Sequence, residues 1–178
     1  MISQATTAGT AKNAANVWGI SHVWQSPTLP TRRSQRRLLT DPILASLTLS
    51  ACEVKVLVPQ PEPRWLYPVL DKLQHVSRLA ENWDSYGGQA PSDESVYTAL
   101  AVLSRILRDE SSAPALVPLS EGGVQVEWHG DGEELEIRIG ANGEISAFRF
   151  DERVGRGEEI DQVTLSDLSR LLALTGNR

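Results

Sequence analysis

Residues 124–150 read VQVEWHGDGEELEIRIGANGEISAFRF, and their spacing decides the fold. Val124, Val126 and Trp128 alternate with Gln125, Glu127 and His129. After Gly130-Asp131-Gly132, Leu135, Ile137 and Ile139 alternate with Glu134, Glu136 and Arg138. Period two is the signature of a strand with one buried face. Asn142-Gly143 is a strong hairpin signal, because both residues accept positive φ. Ile145–Phe150 then makes a third strand. The stretch therefore predicts a three-stranded antiparallel meander whose apolar face needs a cover.

Working outward, the period changes to about 3.6. Trp65, Leu66, Val69, Leu70, Leu73, Val76, Ala80 and Trp83 recur at three- and four-residue steps, which predicts a helix over about 62–82; Pro68 would fall in its early turns and moves the expected start nearer Tyr67. A second helix is expected over about 93–109. Ser92 is placed to cap it, Asp93 and Glu94 suit its positive end, and Val96, Ala99, Leu100, Leu103, Ile106 and Leu107 form its inner face. Residues 111–123 read as a Pro/Ser/Gly loop. A last helix is expected over 165–174, with Ser166 as its cap and Gly176 as its stop. The fold class is α+β: a helical hairpin, a three-stranded antiparallel meander and a C-terminal helix, with no internal repeat.

The 178 residues suit one domain with an arm. Residues 1–60 hold six Lys and Arg against two acids, a net of +4, which leaves −10 of the total −6 for residues 61–178. We read residues 1–60 as a basic, weakly ordered arm with a strand near 47–58, and residues 61–178 as a single α+β domain. The acidic domain should repel nucleic acid; only the arm, through Arg32, Arg33, Arg36 and Arg37, would attract phosphate. No apolar run is long enough for a transmembrane helix. Leu49-Ser50-Ala51-Cys52 resembles a lipobox, which gives a lipid-anchored envelope protein matured at Cys52 as an alternative to a cytoplasmic one. One cysteine and three scattered histidines make no thiolate or imidazole metal site, and no Gly-rich phosphate loop opens a helix, so no cofactor is expected.

Two places carry polar chemistry. The first is the connector Glu81–Pro91, ENWDSYGGQAP. Trp83 continues the helix period and is expected in the core. Gly87 and Gly88 are expected at positive φ, and Asp84 and Ser85 suit Asx-type turns. Asn82 and Tyr86 remain as directional hydrogen-bonding groups, and tyrosine is enriched at interface hot spots. The second is the polar face of the meander, where Gln125, Glu127, Glu136, Arg138 and Arg149 are expected to point away from the core. Glu127 opposite Arg138, or Glu136 opposite Arg149, would make an ordinary charge ladder.

Asn82-Trp83-Asp84-Ser85-Tyr86-Gly87, then Gly122-Gly123-Val124-Gln125-Val126-Glu127-Trp128, then Leu135-Glu136-Ile137-Arg138-Ile139 resemble a family of small uncharacterised bacterial proteins. Its members show N-W-D-x-Y-G, G-G-V-Q-x-E-W and L-E-I-E-hydrophobic motifs in that order. The likeness covers roughly Leu70–Leu174. It implies a bacterial or mobile-element origin and a shared fold, and no activity. Arg138 stands where the family usually has an acid, and residues 1–60 have no counterpart.

The expected function is that of a small soluble module that binds another protein, such as an antitoxin, inhibitor or accessory subunit covering a basic surface. Asn82, Asp84, Tyr86, Glu127 and Glu136 are the contact candidates; Trp83, Gly87, Gly88 and Trp128 are structural. A runner-up is a metal-dependent phosphodiesterase in which Asp84, Glu127 and Glu136 cluster around Mg²⁺ or Mn²⁺. Asp131 with Glu136-Ile137-Arg138 gives only a faint echo of a nuclease pattern, since arginine is a poor base.

Overall fold

The alternation in residues 124–150 gives three antiparallel strands, but they are the middle of a wider sheet. The computed structural model describes residues 43–130, 132–161 and 163–174. The arm arginines Arg32, Arg33, Arg36 and Arg37, the nuclease-like Asp131 and the helix stop at Gly176 lie outside these residues. The chain forms strands β1 (Leu44–Thr48) and β2 (Glu53–Leu57), helices α1 (Leu66–Val76) and α2 (Asp93–Ile106), strands β3 (Ala115–Pro118), β4 (Val124–Gly130), β5 (Glu133–Ile139), β6 (Ile145–Asp151) and β7 (Arg156–Ile160), and helix α3 (Leu165–Leu174). The fold is α+β with antiparallel sheets: a two-stranded β1-β2 hairpin and a five-stranded sheet in the order β3-β4-β5-β6-β7.

Three expectations are corrected. The sheet has five strands, not three. Strand β3 lies inside the presumed 111–123 loop, hidden because it follows Pro114 and ends on Pro118, and β7, with three charged residues and a glycine among its five, is too polar to read as a strand. Helix α1 spans Leu66–Val76: it starts next to Tyr67, where Pro68 pointed, and ends six residues short of 82. It gives way to tight turns in which the Arg78 and Leu79 amides donate to the His75 and Val76 carbonyls. The single strand expected over 47–58 is a hairpin, closed by a bond from the Leu49 amide to the Cys52 carbonyl.

Helices and hairpin supply the cover the apolar face requires. Val124, Val126, Leu135, Ile137 and Ile139 are fully buried with Val69, Leu73, Val96, Leu103, Leu168 and Leu171. The boundary expected at residue 60 falls after a hairpin whose Leu47, Leu49 and Val58 belong to this same core. Two side chains tie the hairpin down. Gln74 of α1 accepts from the Thr48 amide at 2.9 Å and donates to its carbonyl at 3.0 Å, imitating a neighbouring strand. The Asp93 carboxylate, besides sitting in the first turn of α2, accepts from the Ser50 and Ala51 amides at 2.9 and 3.0 Å. Helix α2 starts as expected, with Ser92 Oγ accepting from the Ser95 amide. None of the helices in the described residues is long and apolar enough to cross a membrane.

Candidate binding surface

The sheet register sorts the candidates. Ala115, Glu127, Glu136, Phe148 and Glu159 lie side by side across all five strands. Paired residues of antiparallel strands share a face, so this row lies opposite the face that α1 and α2 cover. The next rows on the same face are Val117-Gln125-Arg138-Ser146 and His129-Glu134-Phe150-Gly157. The expected ladder is therefore replaced. Glu127 faces Glu136, not Arg138, and Glu136 faces Phe148, not Arg149. Like charges directly opposite one another are unfavourable in a sheet.

Local partners hold Glu127 in place. Gln125 Nε2 donates to one of its carboxylate oxygens at 2.7 Å, and the His129 ring nitrogen meets the other at 3.1 Å. His129 is pushed above the ordinary histidine range, first by that bond to Glu127 and then by the charges of Glu127, Glu134 and Glu136. Arg138 pairs with Glu121 at 2.8 Å.

Arg149 is the residue sequence reasoning misplaced. It sits opposite Leu135, in the parity of Ala147, so it lies on the covered side. There Arg149 Nη2 and Arg153 Nη2 both meet Glu133 Oε1, and Glu133 is only 6 % exposed. Counting parity outward from the Asn142-Gly143 turn finds this: Ile145, Ala147 and Arg149 fall on one side, Phe148 and Phe150 on the other. Trp128 is buried in the core, and among the described residues its indole N–H has no hydrogen-bond partner.

The connector is a self-contained turn. The Asn82 amide donates to the Gly88 carbonyl at 2.7 Å and closes the loop. Asp84 Oδ1 accepts from the Tyr86 and Gly88 amides at 2.8 and 2.9 Å, which hold its carboxyl below the usual aspartate range, Tyr86 contributing most. Asn82 Oδ1 accepts from the Gly87 amide at 2.8 Å. Positive φ falls on Asn82, Ser85 and Gly87; at Gly88 the requirement is steric, since a Cβ there would lie 2.7 Å from Asp84 Oδ2. Trp83, expected in the core, is half-buried and donates its indole N–H to the Gln89 carbonyl at 3.2 Å. Tyr86 stands out at 94 % exposed.

The turn is fastened to the sheet. The Gln89 amide donates to the Ser120 carbonyl, Gln89 bridges to Glu121, and Ser92 and Ser95 bond to the Gly122 carbonyl. Through Glu121 the corner adjoins the Arg138 end of the open face. Asp84 is committed to its own turn, while Glu127 and Glu136 are brought together on the sheet. Among the described residues no three His, Cys, Asp or Glu groups gather as metal donors. No protein-family model matches the chain, and neither does any curated protein or solved structure.

Proposed function

We propose that this chain is a protein-binding module that offers the open face of its five-stranded sheet to a partner with a basic surface. One observation carries the reading: Glu127 and Glu136 are held side by side, without a cationic arginine or lysine between them, in a row that ends at Phe148 and Glu159. A fold gains nothing from opposed carboxylates, whereas a basic partner would. The half-buried Phe148 and Phe150 add apolar contact area in the same region. Tyr86 joins the contact set, while Asn82 and Asp84 shape the turn that presents it. An antitoxin, inhibitor or accessory subunit is the class such a face suits.

The test is capture of a partner from the native host at increasing salt. An interface of this kind weakens steeply with ionic strength, and Glu127→Lys with Glu136→Lys should abolish it while the fold is retained. Capture that is indifferent to both salt and the double variant would rule the face out.

Two alternatives are weaker. A carboxylate-bound metal would lack Asp84 as its third ligand. A lipid anchor at Cys52 requires cleavage before that residue, which would remove β1 and leave the core without Leu47 and Leu49.

A further inference from the structure

Strand β3 is an edge of the five-stranded sheet, and among the described residues no strand pairs with its outer side. Beside it, the second half of α1 and the turn after it leave an open cleft of about 530 Å³. Leu116, Leu79 and Trp83 give the cleft an apolar floor, and Lys72, His75 and Arg78 line it as well. Lys72 and Arg78 have no ion-pair partner among the described residues; Asp71 is the one acid in the lining. This is a cationic spot on a region that carries −10 overall between residues 61 and 178.

The main chain of β3 says what kind of occupant fits. The Leu119 amide donates to the Gly123 carbonyl, in register with the Ala115–Glu127 and Val117–Gln125 pairs. Hydrogen-bonded pairs alternate along an antiparallel ladder, so residues 114, 116 and 118 turn their backbone groups outward. Two of these are Pro114 and Pro118, which have no N–H. The free edge thus presents three carbonyls and a single N–H, that of Leu116. A second copy of this edge would set proline against proline and supply too few donors, which is a known way of blocking edge-to-edge pairing. A peptide with an N–H at every residue satisfies the same edge.

We infer that this cleft receives an extended, carboxylate-bearing peptide segment of a partner protein, added antiparallel to β3. The peptide's amides bond the carbonyls of Pro114, Leu116 and Pro118. Alternate apolar side chains enter the floor at Leu79 and Trp83, and its carboxylates meet Lys72 and Arg78. This follows the strand-addition mode, in which main-chain bonds give affinity and alternate pockets give specificity. The site is separate in residues and opposite in charge from the sheet face proposed above, and it does not rest on that reading.

The probe is a ten-residue peptide of alternating valine and glutamate, fluorescently labelled and titrated against the whole chain by anisotropy, with backbone amide shifts recorded in parallel. Saturable binding is expected, with shifts confined to α1, β3 and the Trp83 turn. The valine–lysine counterpart should bind at least tenfold more weakly, and N-methylating alternate peptide amides should abolish binding. Lys72→Glu with Arg78→Glu should reverse the preference without lowering the melting temperature. Glu127→Gln with Glu136→Gln should bind the peptide like the parent, which separates this site from the sheet face. No saturable binding, equal binding of both peptides, tolerance of N-methylation, or self-association with shifts at β3 would each overturn the inference.

Discussion

A methyl group at Gly88 would sit 2.7 Å from Asp84 Oδ2, which makes this the more tightly enclosed of the connector's two glycines. Gly88→Ala should destabilise by about 1–3 kcal/mol in denaturant unfolding, because the turn must open to admit it. Gly87→Ala meets no atom and bears only the strain of φ +91°, about 1 kcal/mol. Asp84 gives a pH signature. Its carboxyl is held below the usual aspartate range, so its contribution is present above the unfolded value, about 3.9, and is lost as pH falls through the lower folded value. Asp84→Asn keeps an acceptor but not the charge, and its melting temperature should fall less between pH 5 and pH 2 than that of the parent; an identical fall would remove Asp84 from the turn's energetics. The sequence announced an Asx-type turn here through Asp84 and Ser85. It did not announce that Asn82 would take the left-handed conformation or that Gly88 is needed for space, because both depend on the closure from the Asn82 amide to the Gly88 carbonyl.

At the scale of elements, strong periodicity was legible and edges were not. The 3.6-residue spacing located α1 and α2, flanking cap and stop residues located α3, the two-residue spacing located β4 and β5, and the Asn142-Gly143 turn located β6. Strands β3 and β7 escaped because prolines and charges occupy sheet edges, where they are tolerated and where strand statistics fail. The hairpin read as a single strand because its turn, Ser50-Ala51, carries no glycine; the Asp93 carboxylate binds those amides from elsewhere in the sequence. Leu47→Ala should therefore behave as a core truncation and cost about 2–5 kcal/mol, since Leu47 is 0 % exposed. A loss under 0.5 kcal/mol would mean that the hairpin is an ornament on the fold. Between β4 and β5, His129 is raised by Glu127 and its neighbours. What it adds to stability is complete below about pH 6.5, the unfolded value, and disappears as pH climbs through the higher folded value. The melting temperature of the parent should thus fall more from pH 6 to pH 8 than that of His129→Gln.

The described residues form two layers, with helices over one face of the sheet and carboxylates and two phenylalanines on the other. Composition made the charge visible, and alternation placed Glu127 and Glu136 outward. Their mutual opposition was hidden, because alternation fixes which face a residue takes and not which residue it meets on the next strand. Opposed carboxylates kept at the centre of a sheet point to a demand other than stability, and proteins commonly give up stability where they bind. The measurement that tests this most directly takes Glu136→Gln and the parent side by side and reads melting temperature and partner capture from the same preparations. The expected result is a variant that melts no lower, with a gain of about 0.2–1 kcal/mol from the relieved pair, and that has lost its partner. A variant that melts lower and captures the partner unchanged would make Glu136 a structural residue and contradict the assignment of the open face as the interface.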